Sequence, residues 1–280
     1  MHEQELAAVT AALAYIEGHL DEKLGLDTVA RAARYSKFHL HRLFRNTVGL
    51  TPHDYIQRRQ LTRAAEMLVS SGRPLIQIAL EAGYQSQQAF AGAFKAMYKQ
   101  TPLAYRQGGA FYPLQLAFRL EQRAAATSGG LELAYAGTDD IPGWRRFLPQ
   151  VIEGFPCLDE AAHLARLREY IRKRQLLIMR DGPVIIGAAA FSSQAGSIDF
   201  LAEHPQYRSL GAGRALLEFL RGGPLAGRLI SISTFRQGDR ADTGQRAAYL
   251  RLGFREAEPG FDFGYPTQRL IIPAQQEERP

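Results

Sequence analysis

Between Leu26 and Tyr105 the chain states one pattern twice, and no other feature of it narrows the fold as far. Leu26, Val29, Ala30, Ala33 and Tyr35 return as Leu75, Ile78, Ala79, Ala82 and Tyr84, 49 residues later. Past one inserted residue, Gln85, the offset becomes 50, and Ser36, Leu40, Phe44, Thr51, Pro52 and Tyr55 return as Ser86, Phe90, Phe94, Thr101, Pro102 and Tyr105. A duplication this short is a repeated supersecondary unit. Each copy reads as a short helix, a tight turn and a second helix.

In the first copy Asp27 is placed to cap a helix bearing Val29, Ala30 and Ala33, and the small Ala30 admits a close neighbour. The chain turns at Arg34-Tyr35. Ser36 is a good N-cap for the next helix, where Leu40, Leu43 and Phe44 form an apolar stripe while Lys37, Phe38, His41 and Arg42 lie off it. That second face is free to touch something else. Gly49 stops this helix, and Thr51-Pro52, an N-cap followed by proline at the first helical position, starts a longer one through roughly Ser70. Its apolar positions Ile56, Leu61, Ala64, Ala65 and Leu68 make it a packed spacer between the copies. A preceding helix is set by Leu6, Val9, Leu13, Ile16 and Leu20 at three- and four-residue steps.

Two function classes fit a pair of such units. One is an all-helical domain that binds another protein; the other is a DNA reader with two recognition helices about one duplex turn, roughly 34 Å, apart. Matching caps and turns in both copies favour the second. The formal charge of +6 is uneven: residues 1–107 carry 13 Lys and Arg against 9 Asp and Glu, the remainder 21 against 19. That excess suits a nucleic-acid-binding first half. A single cysteine, Cys157, rules out an internal disulfide and points to a reducing compartment. The first twenty residues are amphipathic and acidic rather than an export signal, and no run approaches eighteen apolar residues. The expectation is a cytoplasmic chain with no membrane partner.

The segments IEGHLDEKLGLDTVARAARYSKFHLHRLFRNTVGLTPHDYI and PLIQIALEAGYQSQQAFAGAFKAMYKQTPLAYR resemble the DNA-binding domain of AraC-type transcription regulators, across about residues 8–107. The resemblance implies double-stranded DNA as partner, with RNA polymerase a further candidate. It implies base reading by the first recognition helix through Phe38, His41 and Arg42, with Lys37 and Arg45 beside them. Phe38 stands where tryptophan is more usual and His41 where glutamine is common. In the second helix the matching positions are Gln87, Gln88, Ala91 and Gly92, the last two often Thr and Arg in the family. A glycine cannot make the bidentate guanine contact or the phosphate contact of an arginine, so the second unit should add less specificity. Gln87 and Gln88 remain able to pair with adenine edges, and Lys95 and Lys99 to hold phosphates. Arg45, Arg58 and Arg59 read equally as phosphate contacts or solvated surface charges.

After Arg106 the run GGAFYPL breaks the helical period, and AAATSGG at 124–130 is small and flexible. The expected domains are therefore 1–108, a linker over 109–130, a second domain over 131–275 and a polar tail over 276–280. The second half reads as mixed α/β: a strand at LELAYAG, two helical stretches near 140–174, and a hairpin turning at Asp181-Gly182. Then come a strand at SIDFLAE, a helix at GRALLEFL, a strand at LISISTF, a helix at GQRAAYLRLGF and a last strand around FGYPTQRLIIP. The fold class is thus an all-α double helix-turn-helix domain followed by an α/β mixed-sheet domain.

Between a strand and a helix stands Arg208-Ser209-Leu210-Gly211-Ala212-Gly213-Arg214. Glycines at a helix start bare the amide donors, which with the helix dipole can hold a pyrophosphate. Taken alone, such a string is more often a plain turn. Together with SIDFLAEHP before it and AYLRLGF after it, however, it resembles the GNAT acyltransferase fold over about residues 131–273. The resemblance implies acetyl-CoA or another acyl-CoA as cofactor. The pyrophosphate would lie on the amides from Leu210 to Arg214, and the pantetheine along the strand of Leu201 and Glu203. It also places Tyr249 where many such enzymes put a tyrosine that protonates the leaving thiolate. A core tyrosine with a satisfied hydroxyl is the competing reading. Asp199 and Glu203, four apart on one strand and so expected on one face, are candidate bases. Glu203 stands where an aliphatic residue is usual; it is either a base or the mark of a pocket rebuilt for another ligand. Trp144 and Phe155 line an acceptor pocket or simply pack the core, and Cys157 reads as an ordinary buried thiol. The histidines show no metal-ligand spacing, so no metal is expected.

Three functions follow. The first is a DNA-binding regulator whose second domain binds an acyl-CoA or a small-molecule effector. The second is an active N-acetyltransferase acting on a small amine and fused to its own regulator. The third is a DNA-tethered enzyme acetylating a neighbouring protein.

Overall fold

The computed structural model describes residues 3–120, 130–151, 160–262 and 264–274, with the side chains of residues 3 and 160–162 set aside. Phe155 and Cys157 lie outside the described residues. The chain divides into two compact units, the first built on residues up to 121 and the second on the C-terminal half.

In the first unit α1 (Glu3–Gly18) precedes two copies of one arrangement. These are α2 (Leu26–Ala32) and α3 (Lys37–Val48), then α5 (Leu75–Glu81) and α6 (Gln87–Tyr98), with α4 (Pro52–Ser70) between and α7 (Pro102–Gly108) after. The caps are the expected ones. Ser36 Oγ accepts from the His39 amide at 3.3 Å, Ser86 Oγ from Ala89 at 3.1 Å, Thr51 Oγ1 from Asp54 at 3.1 Å and Thr101 Oγ1 from Ala104 at 3.2 Å. Each such bond satisfies a first-turn amide that has no partner inside its helix. Gly49 ends α3 at φ +85°, a conformation glycine adopts without a Cβ penalty. One cap differs from expectation. Gly25, not Asp27, stands at the start of α2; Asp27 falls in its first turn and faces Lys37 at 3.4 Å.

The apolar stripes close into cores. Val9, Leu13, Ile16 and Leu20 pack with Val29, Ala30, Leu40, Phe44 and Ile56. In the second copy the aromatic side chains meet in series, Phe94 stacked on Tyr98 at 4.3 Å, and Tyr98 edge-on to Tyr105 at 4.9 Å and tilted against Tyr112 at 5.1 Å. Residues 109–120, the first part of the expected linker, are tied to this unit. The amides of Leu114 and Gln115 both donate to Thr62 Oγ1 at 3.1 Å, and that of Phe118 to the Tyr55 hydroxyl at 3.0 Å. The Tyr112 amide donates to the Tyr105 hydroxyl at 2.8 Å. These bonds account for backbone donors that burial takes away from water.

The second unit is a seven-stranded sheet in the order β1-β2-β3-β4-β5-β7-β6. Its strands are β1 (Glu132–Tyr135), β2 (Leu176–Asp181), β3 (Val184–Ser192), β4 (Ser197–Glu203), β5 (Ile230–Phe235), β6 (Arg255–Asp262) and β7 (Tyr265–Ile272). All neighbours are antiparallel except β4 and β5. One face of the sheet packs α8 (Ile141–Val151) and α9 (Glu160–Arg172), with Trp144, Phe147 and Leu167 against Ile178, Ala188 and Ala190. The other packs α10 (Ala212–Gly222) and α11 (Gln245–Arg251), with Leu216, Leu217, Leu220 and Tyr249 against Leu177, Ala189 and Leu201. Gly187 makes the α10 packing possible: a Cβ there would lie 2.7 Å from that of Ala212.

Strand β6 is absent from the sequence reading, which has one strand after α11 where the structure has two. Its segment REAEPGFD carries three acids, a proline and a glycine, a poor strand composition. It is tolerated because β6 is the sheet's edge, where Pro259 sits beside a register shift between Glu256 and Pro259.

Candidate functional site

Helix α3 sorts its residues cleanly. Leu40, Leu43, Phe44, Thr47 and Val48 are buried, while Lys37, Phe38, Arg42 and Arg45 face solvent and His41 is half-buried. Phe38 is 79% exposed, with the Lys37 ammonium 5.7 Å from its ring centre. Arg42 Nη2 lies 3.5 Å from His39 Nδ1 of the same helix. In α6 Gln87, Gln88, Ala89, Gly92 and Lys95 are exposed and Ala91 is half-buried, and a Cβ at Gly92 would meet open space. The solvent-facing side of α3 therefore offers an aromatic ring, an imidazole and three cations. That of α6 offers two amides and one cation.

Three basic residues read as candidates for phosphate or solvent have other duties. Arg59 forms a two-pronged pair with Glu17, its Nε 2.8 Å and Nη2 2.7 Å from the carboxylate, and its Nη1 donates to the Gln115 carbonyl at 2.7 Å. Glu17 also accepts from the Tyr55 hydroxyl at 2.7 Å; burial first, and Glu17 second, hold that phenol protonated far above the usual tyrosine range. Arg58 is 2% exposed and donates to the Ala241 carbonyl at 2.6 Å, in a segment, Asp239–Thr243, that groups with this unit. Lys99 donates to the Ala96 carbonyl and to Asp239, each at 2.7 Å. Sequence spacing cannot separate these cations from Arg42 and Arg45, because Glu17, Asp239 and Ala241, which claim them, lie far off in the chain.

In the second unit, β4 and β5 pair only at Ser197–Ser231 and Ile198–Ile232. Three residues further on, the Leu201 carbonyl accepts from the Tyr249 hydroxyl of α11 at 2.8 Å. Asp199 and Glu203 do not share a face. The β3–β4 register shifts between Ala190, opposite Phe200, and Phe191, opposite Ile198, which leaves Asp199 as an extra residue. A bulge of this kind breaks the two-residue alternation. Asp199 accordingly accepts from the Tyr170 hydroxyl of α9 at 2.7 Å, and from Ser197 at 2.7 Å. Glu203 turns to the other side and accepts from the Gly213 amide of α10 at 2.5 Å.

The α10 N-terminus has the expected form. A 3-10 turn, Pro205–Leu210, carries Arg208 and Ser209 exposed and leads to Gly211 in the left-handed region at φ +68°, then Ala212, Gly213 and an exposed Arg214. Gly211 supplies no side-chain cap. The carboxylate of Glu203 does so instead, on an amide where the helix dipole favours negative charge. A Cβ at Gly213 would lie 3.1 Å from the Glu203 carboxyl carbon, so the missing side chain makes room for Glu203. With Glu203 seated, the Gly213 amide is already taken and does not fit the diphosphate of an acyl-CoA.

Trp144 packs in the α8–α9 core, its indole N–H donating to His163 Nε2 at 3.0 Å. That nitrogen must be unprotonated to accept, and burial first, with Arg166 nearby, lowers the His163 pKa. Among the described residues no group of three or more His, Cys, Asp and Glu side chains is placed to hold a metal, and no helix is long and apolar enough to cross a membrane.

This architecture matches two families, a helix-turn-helix domain over residues 29–108 and an acetyltransferase (GNAT) domain over residues 150–264. By its N-terminal unit the chain belongs to the AraC-type helix-turn-helix transcription regulators, with a GNAT domain in its C-terminal half. It is similar to the regulatory protein SoxS of Escherichia coli, 42% identical over 94 residues that make up 34% of this chain and 88% of that one. It is also similar to the transcriptional regulator Rob of Salmonella typhimurium, 45% identical over 95 residues, 34% of this chain and 33% of Rob. The chain thus spans about a third of the length of that relative. A crystal structure of a GNAT-family acetyltransferase from Bacillus cereus aligns with 53% of this chain and all of its own, at 13% identity and a TM-score of 0.41. The GNAT match implies acyl-CoA binding in general terms.

Proposed function

We propose that the chain is a one-component regulator in which α3 reads most of the operator sequence, α6 adds a weaker contact, and the GNAT unit binds a small-molecule effector, acyl-CoA being the class its family implies. The observation that carries this reading is the face of α3. A phenylalanine left 79% in water, with Lys37 beside its ring and the exposed Arg42 and Arg45 four and seven residues further along the helix, is covered when the helix enters a groove lined with phosphates and thymine methyl groups. Gln87, Gln88 and Lys95 on α6 support a second, less discriminating contact.

The test is competition binding against operator variants at two salt concentrations. Arg42→Ala should cost about 1–3 kcal/mol and relax preference at one base position. A loss equal on all sequences would make Arg42 a phosphate contact, and a native chain with no preference over competitor DNA at moderate salt would overturn the reading. An active N-acetyltransferase ranks below it. Tyr249 and Glu203 would both have to give up the partners they now hold, Leu201 and Gly213, before acting on a substrate.

A further inference from the structure

Helix α10 begins with Gly211, which offers no side chain to its own first turn. The anion that this turn attracts comes from the end of β4, where Glu203 reaches the Gly213 amide at 2.5 Å. The fit is mutual. Gly213 is the position where a Cβ would press on the Glu203 carboxyl group at 3.1 Å, and glycine there leaves the carboxylate its seat. A diphosphate on the same amides would have to come within hydrogen-bond range of Gly213 and so displace the carboxylate or lie against it. Two anions brought together at a half-buried helix end repel strongly, since little water is left to screen them.

We infer that Glu203 is a resident anion that excludes diphosphate from the α10 amides, so that it sets the ligand specificity of the GNAT unit against nucleotide-bearing acyl carriers. The ligand of the native chain is one that makes no diphosphate contact there. This rests on the reading of the C-terminal unit as a ligand-binding one, and not on how α3 reads DNA.

The experiment is calorimetric titration of the full chain with acetyl-CoA and with acetyl-pantetheine, which carries the same thioester arm without the diphosphate. In the native chain the two should bind equally well or equally poorly. Glu203→Ala should raise acetyl-CoA affinity about tenfold or more and leave acetyl-pantetheine unchanged. Glu203→Gln keeps a neutral acceptor for the Gly213 amide and should shift acetyl-CoA in the same direction, which covers the case in which the alanine variant does not fold. A native chain that already binds acetyl-CoA tenfold more tightly than acetyl-pantetheine overturns the inference, as does a Glu203 variant, folded by its melting curve, with no gain. Operator affinity measured alongside separates the two readings. Tight native acetyl-CoA binding that shifts operator affinity would sustain the regulator and sink the exclusion. A gain in the Glu203 variants, with a native chain that shows no operator preference over competitor DNA, would sustain the exclusion and sink the regulator.

Discussion

The Tyr249 hydroxyl and the Leu201 carbonyl, 2.8 Å apart, fasten α11 to β4 at a point where β4 has parted from β5. The hydroxyl takes the place of a strand partner. Tyr249→Phe removes the donor and leaves a buried carbonyl to be satisfied some other way, at a cost of about 1–2 kcal/mol. Trp144, the chain's one tryptophan, lies in the same unit, so its fluorescence in a urea titration isolates this unit's unfolding. The midpoint should fall while operator binding stays as it was.

Gly92→Arg should be a gain. The position is exposed, a Cβ there meets open space, and glycine inside a helix costs about 0.5–1 kcal/mol relative to a good helix former. The new guanidinium also adds a cation to the poorer recognition face. Fluorescence anisotropy should show tighter operator binding, with the slope of log affinity against log salt steeper by about 1. An unchanged slope would place position 92 off the duplex.

Acid should weaken the second unit. His204 is 1% exposed; burial, with Arg208 as the lesser cause, lowers its pKa from 6.5 to about 4, and its Nδ1 accepts from the Gln206 amide at 3.3 Å. Between those values the unfolded chain takes up a proton that the folded one refuses. The stability is therefore complete above about pH 6.5 and drains away as pH falls toward about 4, by about 3 kcal/mol. Trp144-detected urea midpoints at pH 7.5 and 4.5 measure the loss. His204→Asn should flatten the profile, and a wild-type midpoint indifferent to pH would contradict the burial argument.

Gly187→Ala should push α10 off the sheet. The added methyl would lie 2.7 Å from the Ala212 Cβ and 3.2 Å from a Leu216 methyl, and neither the helix backbone nor Ala212 can yield. Overpacking of this sort costs about 1–3 kcal/mol. The Trp144-detected midpoint should drop, whereas a neutral result would mean that α10 shifts freely.

Local chemistry made the first unit readable. Ser36, Ser86, Thr51-Pro52, Thr101-Pro102 and Gly49 act on amides and carbonyls within one turn of themselves, so their roles follow from spacing alone. Asp27 misled because Gly25, two residues earlier, can also begin a helix. The second unit was readable as an order of elements but not as a site. Asp199 and Glu203 satisfy the two-residue rule on paper, and only the register against β3 reveals the extra residue that parts them. Likewise nothing local distinguishes Arg58 and Arg59 from Arg42. Their partners, Ala241, Glu17 and Gln115, lie 42 or more residues away in the chain.

The bonds from residues 112–118 to Thr62, Tyr55 and Tyr105 bear on how such a reader can be moved between proteins. A cut at the end of α7, where the helices stop, would take from Thr62 and Tyr105 the amides they accept from and would remove Tyr112 from beside Tyr98. The exchangeable module therefore runs on to about residue 120, and a recombination that joins a new sensor at Gly108 discards part of the DNA reader's own core.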